Sequence, residues 1–239
     1  MLNYLIYFIV GIFPCIIWLL FYLRQDVHPE SNRKIIEIFL LGAFIVLPIK
    51  ILEDYLGRLF PPDNILLIKT PLLFLYYIVV IGFIEELFKY LVVRIRVIRS
   101  SHFDEPIDAM LYLIIASLGL AAIENIFLIF KSPQIQTAIL VSTIRLLTAI
   151  FLHTLAAGIT GYFLALSLKS KRLKSFFIVA FGLFVSSISH GIYDATVTKL
   201  EIAENIFAFL LPIVIIVIMG IIVYILFLKV KKMPSACKI

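Results

Sequence analysis

The sequence predicts an all-α fold: a polytopic transmembrane helical bundle of about seven spans. Three observations lead there. Hydrophobic residues make up 63% of the 239-residue chain and charged residues only 15%, more apolar surface than a soluble domain of this length can bury. The apolar residues, with a mean hydropathy of +1.12, fall in seven stretches, each near or above the roughly 20 residues a helix needs to cross a bilayer. Lys and Arg gather in alternate connections between those stretches.

The stretches follow in order. The first, at 5–23, has no basic segment before it and no small-residue cleavage site after it, and reads as a retained span. The second covers 35–55. Behind it Pro61-Pro62-Asp63-Asn64 predicts a turn, because paired prolines followed by Asp-Asn cannot continue a helix. The third covers 72–93. The fourth, 107–130, opens behind Asp104-Glu105-Pro106, with acids at the helix N-terminus and proline in its first turn. The fifth, 138–168, is overlong for a single crossing and implies tilt. The sixth and seventh cover 176–198 and 206–228. Small residues in the fourth span (Ala116, Gly119, Ala121, Ala122) and in the fifth (Ala156, Ala157, Gly158, Gly161, Ala165) predict close helix–helix approach.

The basic connections hold Arg24, Arg33 and Lys34; Arg94, Arg96 and Arg99; Lys169, Lys171, Arg172 and Lys174; and Lys229, Lys231, Lys232 and Lys238. The intervening ones hold Arg58, Lys69, Lys131 and Lys199. The positive-inside rule then predicts N-terminus out and C-terminus in, in agreement with an odd number of spans. The net charge of +6 reads as this topology signal and as lipid-headgroup contact, with no nucleic-acid partner implied. Cys15 and Cys237 sit too far apart in this topology to pair, which excludes a disulfide framework or a cysteine metal site. No repeat of 20–50 residues is present, and nothing in the sequence sets an oligomeric state.

Against this apolar background the ionisable residues stand out. Glu85 and Glu86 lie in mid-span with Lys89 one turn on, where an ionised side chain costs about 2.5–3.5 kcal/mol on insertion scales. Spacings of three and four let the lysine reach both carboxylates. Two adjacent carboxylates in a low dielectric resist ionising together, a division that suits one base and one proton-holding group. The fourth span adds Glu124 and Asn125, the fifth Arg145 and His153, and the sixth His190 with Asp194 four residues on, placed to orient the imidazole. Arg145 is expected to pair with Glu124. Counted from the basic ends at 1.5 Å per residue, Glu124, His153 and His190 fall about 22–27 Å deep and Glu86 only about 12 Å, a mismatch of about two turns. The competing readings are an ion-pair network that fixes helix packing and, for Ser186, Ser187 and Ser189 before His190, hydroxyls bonded to backbone. There is no His-Glu-x-x-His helix, no Gly-x-Ser-x-Gly elbow and no phosphate-binding glycine loop.

These motifs together resemble the PrsW family of intramembrane proteases, related to the CAAX-prenyl endopeptidase and bacteriocin-processing group. The likeness is carried by Trp18-Leu19-Leu20-Phe21-Tyr22 leading to Arg24-Gln25-Asp26-Val27-His28-Pro29-Glu30, and by Glu85-Glu86-Leu87-Phe88-Lys89. It continues in Asp104-Glu105-Pro106-Ile107-Asp108-Ala109 with Gly119-Leu120-Ala121-Ala122-Ile123-Glu124-Asn125, in His153, and in Ser189-His190-Gly191-Ile192-Tyr193-Asp194. Asp108-Ala109 departs from the Asp-Gly common in the family. The resemblance implies one integral-membrane protease domain over 1–239, with a family-like core at about 18–198 and a last span and basic cytoplasmic tail at 199–239.

It also implies a prokaryotic plasma-membrane location and cleavage of a membrane-anchored protein, such as an anti-sigma factor in a stress-response cascade. Glu85, Glu86, His190, His153 and Glu124 would be catalytic, with Lys89, Asn125 and Asp194 in support. His153, His190 and Glu124 are the candidate metal ligands and zinc the candidate ion, and a metal-free glutamate mechanism uses the same residues. The alternatives of another class are a non-catalytic scaffold resembling the helical subunit of the presenilin complex and a proton-coupled transporter.

Overall fold

A computed structural model describes residues 2–26, 28, 30–61, 70–200 and 206–234, and every regular element among them is helical. In chain order these are α1 (Leu2–Leu23), α2 (Asn32–Phe44), α3 (Val46–Leu59), α4 (Thr70–Tyr76), a π-helical segment (Tyr77–Gly82), α5 (Phe83–Arg96), α6 (Pro106–Ile129), α7 (Ile135–Leu147), α8 (Ala149–Ser167), α9 (Arg172–Leu200) and α10 (Ile206–Val230). They make seven helices long and apolar enough to span: Tyr4–Leu23, Asn32–Leu59, Pro71–Arg96, Pro106–Ile129, Ile135–Ser167, Arg172–Thr198 and Leu210–Val230. The expected all-α bundle of seven spans is therefore found, and the protein is a multi-pass integral membrane protein. The turn expected after Pro61, together with Lys69, Cys237 and Lys238, lies outside the described residues.

The fourth span is the hub. Its most apolar window is 78% buried, against 17–39% in the other six, because a helix apolar all round has no face to give to solvent. It packs against α1, α2, α5 and α8. The outer helices turn large apolar side chains outward, such as Ile51, Leu173 and Tyr224, as a lipid-facing belt requires. Small residues set the closest crossings. A Cβ on Gly119 would run into the Phe39 carbonyl, one on Gly42 into the Ala116 carbonyl, and one on Gly161 would lie 2.5 Å from Met110 Cα.

The fourth helix opens as its sequence predicts: Pro106 is its first residue, and Asp108 Oδ2 accepts from the Glu105 amide at 2.7 Å. Three other spans are less regular than expected, and the second divides at Ile45 into α2 and α3. The fifth is not one tilted helix but two, broken at Thr148 (φ −120°, ψ −99°). Trp18 Nε1 donates to the carbonyl of Leu146 at 2.7 Å beside this break, and its ring stacks on Phe151 with centroids 4.3 Å apart. The break is thus supported from α1. In the third span, six residues of π-helix lead directly into Phe83, just ahead of the glutamate pair.

The basic connections meet at one end. Lys34 Nζ donates to the Arg96 carbonyl at 2.8 Å, and Lys231 Nζ donates to Gln25 Oε1 at 3.1 Å. Lys169 lines a cavity together with Pro106 and Met233.

A larger side chain at Gly119 meets backbone rather than a movable side chain, so Gly119→Leu should remove most folded protein from a detergent extract. Gly220→Ala places its Cβ 3.9 Å from Phe151 and should change stability by no more than about 0.5 kcal/mol. Size-exclusion profiles after heating separate the two.

Candidate active site

Glu85, Glu86 and Lys89 occupy the first two turns of α5 and are 3%, 1% and 0% exposed. Lys89 Nζ lies 2.7 Å from Glu86 Oε1 and 3.5 Å from Glu85 Oε2, so one ammonium faces both carboxylates. It also lies 3.1 Å from His153 Nδ1. The i,i+3 and i,i+4 spacing therefore forms the paired charges that the sequence predicts.

Helix α9 brings the second histidine. It rides on the π-helical segment, where Gly82 and Gly191 remove side chains from the crossing. A Cβ on Gly82 would lie 2.6 Å from the Ser187 carbonyl oxygen, and one on Gly191 would lie 2.6 Å from the carbonyl carbon of Tyr77. This approach sets His190 Nδ1 2.9 Å from Glu86 Oε1. Asp194, one turn on, reaches His190 Nε2 at 3.3 Å. The depth mismatch counted from the sequence does not arise, since His190 reaches Glu86 directly.

Helices α8 and α6 bring the rest. His153 follows the Thr148 break by just over a turn, and its carbonyl accepts a bond from Ser117 Oγ of α6 at 2.8 Å. Its Nε2 lies 3.1 Å from Glu124 Oε2. The two imidazole rings meet edge to face, with centroids 4.9 Å apart.

Each imidazole thus has one nitrogen on a carboxylate of its own, Glu124 for His153 and Glu86 for His190. The other nitrogen faces a third carboxylate: Glu85 Oε2 lies 3.7 Å from His153 Nδ1 and 3.8 Å from His190 Nε2. Donor atoms of Glu85, His153 and His190 all fall within 4.8 Å of one another. Glu85 Oε2 is buried without a hydrogen-bond partner. Metal-binding histidines commonly donate their second N–H to a carboxylate, and two His with one carboxylate suit an open zinc site. The residues present therefore fit a metal. The carboxylate in this trio is Glu85, however, and not the expected Glu124, which holds the far side of His153.

Other expected residues stand outside the cluster. Asn125 donates to the Gly11 carbonyl at 2.7 Å and accepts from Arg145 Nε at 2.9 Å, so it ties α1 and α7 to the hub. The expected Arg145–Glu124 pair is replaced by that bond. Ser186, Ser187 and Ser189 bond the carbonyls of Leu183 and Val185, the backbone role expected for serines in a membrane helix.

Lys50 and Glu53 of α3 were missed. Lys50 Nζ lies 2.7 Å from Glu53 Oε2 and 3.8 Å from Glu124 Oε1, extending the polar cluster toward its more exposed edge. The signal was an oppositely charged pair three apart inside an apolar stretch, the same signal that marks Glu86 and Lys89.

Comparison with known proteins gives the family. The model of the PrsW family of intramembrane metalloproteases matches residues 30–225, which extends past the motif-bearing core into the last span. The chain is 28% identical over 192 residues to Protease PrsW of Clostridioides difficile (strain 630), covering 78% of this chain and 77% of the relative. It is 30% identical over 189 residues to Protease PrsW of Oceanobacillus iheyensis, covering 77% and 79%. With Protease PrsW of Bacillus subtilis (strain 168) it shares 28% identity over 181 residues, covering 76% and 77%. No solved structure matches. A family match across most of the seven spans, with the buried Glu and His residues of its motifs gathered at one point, means that this chain belongs to the PrsW family of intramembrane proteases.

Proposed function

We propose that this chain hydrolyses a peptide bond of a membrane-anchored protein of the anti-sigma-factor kind, using Glu85, Glu86, His153, His190 and Glu124. The observation that carries this reading is the double arrangement of the imidazoles, each fixed by one carboxylate while its other nitrogen faces Glu85 Oε2. Residues 1–239 act as one membrane-embedded unit, with the N-terminus outside and the basic connections in the cytoplasm. The meeting of those connections at one end supports this orientation. The more exposed polar members, Glu124 at 16%, Asp194 at 26% and Lys50 at 50%, lie along their helices on the side away from the basic connections. That supports entry of the scissile segment from the outer half of the membrane.

Glu86 Oε2 is buried and has no hydrogen-bond partner, while Glu86 Oε1 is held by Lys89 and His190. This leaves Oε2 to take the proton of the attacking water and fixes the carboxylate as it does so. Glu86 orients His190 through Nδ1 and Glu124 orients His153 through Nε2, while Asp194 adds negative charge 3.3 Å from His190 Nε2. With Glu85, His153 and His190 as ligands, a bound zinc would supply Lewis acidity and lower the pKa of its water. One observation favours a metal-free version: Lys89 Nζ lies 3.1 Å from His153 Nδ1 and 3.5 Å from Glu85 Oε2, so an ammonium already borders the same space. In that version Glu85 and Glu86 share the base role and His190 donates the proton to the leaving amine.

Glu86→Gln should lower cleavage per folded molecule by about 10²–10⁴-fold, the usual range for a general base. Membrane proteomics at matched expression, with His190→Ala beside it, would then show new peptide termini near the outer face of a single-pass protein in the wild type alone. Identical termini in wild type and both variants would refute the assignment.

Lys89→Met leaves two buried carboxylates without their cation and should cost about 3–5 kcal/mol of stability, read as lost yield and lowered Tm. Purified wild type should carry one zinc that Glu85→Gln loses, and chelation should stop cleavage until zinc is restored. Full cleavage by metal-depleted protein would establish the metal-free version instead. Gly191→Ala should push α9 off the π-helical segment and slow cleavage by about 10²-fold, as misplacement by about 1 Å does.

A further inference from the structure

A cavity of about 720 Å³ lies between α5, α8 and α9, on the side of the bundle where the basic connections meet. Farther along, α9 lies on the third span at Gly82 and Gly191 and sets His190 on Glu86. Below that crossing the two helices leave room between them. The floor of the space is apolar and buried, with Leu164, Val179 and Leu183 at 2%, 6% and 7% exposed. Along α9 the lining runs from Arg172 to Leu183, a length of about 16 Å. That is about the hydrocarbon depth of one leaflet, half of a core roughly 30 Å thick. His190 stands about two turns beyond Leu183, so the cavity stops short of the candidate active site.

The rim is cationic. Arg94, near the end of α5, and Arg172, the first residue of α9, both line the cavity and both are exposed. The neighbouring Arg96 is taken up by Glu37, to whose Oε1 its Nε donates at 2.8 Å. Among the described residues no carboxylate pairs with Arg94 or Arg172, and no acidic residue lines the cavity or stands in the first turn of α9. Ser170 and Ser175 add hydroxyl groups beside the arginines. Guanidinium groups from two segments above one apolar slot call for a ligand with an anionic head and an apolar tail.

Charge decides among occupants. A spanning helix of another protein, or a second copy of this chain, follows the same charge rule and brings Lys and Arg to this end. The two arginines repel it. A phospholipid brings a phosphate, which guanidinium groups bind through paired hydrogen bonds, and a tail whose length matches the slot.

We propose that this cavity binds one anionic glycerophospholipid, with its phosphate at Arg94 and Arg172 and an acyl chain along the slot between α5 and α9. The tail fills the gap below the contact of His190 with Glu86, so a bound lipid steadies α9 against α5. The site uses no group of the intramembrane cluster and stands independently of the proteolytic reading.

The test uses the full chain, purified in an uncharged detergent and freed of lipid. It is titrated with phosphatidylglycerol or with phosphatidylcholine of the same acyl chains, and native mass spectrometry counts the lipid retained. Wild type and Glu86→Gln should each retain one phosphatidylglycerol at about tenfold lower concentration than phosphatidylcholine, as one charge-assisted contact provides, with a raised Tm. Arg94→Gln combined with Arg172→Gln should erase that preference. Lys229→Gln combined with Lys232→Gln removes equal charge at the same end and should keep it. Ala180→Phe leaves both arginines but fills the slot that Ala180 lines, and should lower retention of both lipids. Elution profiles check that each variant is folded. Equal retention of the two lipids by wild type, equal loss in the lysine and arginine pairs, or full retention by folded Ala180→Phe would overturn the proposal. Displacement of the lipid by inorganic phosphate would identify a site for the free anion and overturn it as well.

Discussion

The ammonium of Lys89 is the constraint around which the intramembrane cluster is arranged. It is fully buried and contacts Glu85, Glu86 and His153, groups from α5 and α8. A lysine there is tolerable only while its partners remain in place. The partners are in turn held by their own neighbours: Glu86 by His190 of α9, and His153 by Glu124 of α6. Four helices are therefore tied by one connected set of charge-assisted bonds. Such a set in a low dielectric is strongly favourable when complete and costly when broken.

That set forms only because backbones approach closely around it. Gly82 and Gly191 let α9 lie on the π-helical segment, and Gly161 lets α8 lie against α6 at Met110. Without a hydrophobic drive between helices in lipid, close packing and interhelical hydrogen bonds are what association rests on. The glycines thus act one link upstream of chemistry. They contribute no functional group, yet they determine that His190 reaches Glu86 and not a lipid tail.

The number of spans, the proline start of the fourth helix and the identity of the clustered residues were legible in the sequence, because each rests on a local rule. Hydropathy runs mark spans, acids before proline mark a helix start, and an ionisable residue in mid-span is conspicuous against apolar neighbours. What failed depended on three-dimensional register. Depth counted from span ends misplaced Glu86 against His190, since spans of 20 to 33 residues need not share a baseline. Arg145 was matched to Glu124 by charge alone, whereas the break at Thr148 turns it to Asn125 and leaves Glu124 to His153 and Lys50. Glu124 is grouped with the two histidines by the family resemblance, and Glu85 is the carboxylate whose donor atom lies with theirs within 4.8 Å. Lys50 and Glu53 obeyed a rule already in use but lay in a span with no motif to draw attention to them.

Charge balance then limits how the cluster operates. Glu85, Glu86, Glu124 and Asp194 bring four carboxylates to a small volume, and Lys89 and Lys50 are the lysines beside them, with Lys50 shared with Glu53. The remaining negative charge needs protons on the histidines and carboxylates or a cation among them, because isolated buried carboxylates are strongly disfavoured. Both solutions leave Glu85 Oε2 as the meeting point of the two imidazoles. A divalent ion there would offset two charges at once and let both histidines stay neutral, each donating outward to its own carboxylate. Protons reach the same balance on a carboxylate or on His190, which lies between Glu86 and Asp194 while Lys89 contacts His153. In either case Glu124 and Glu86 fix one nitrogen of each ring and leave the other toward Glu85 Oε2.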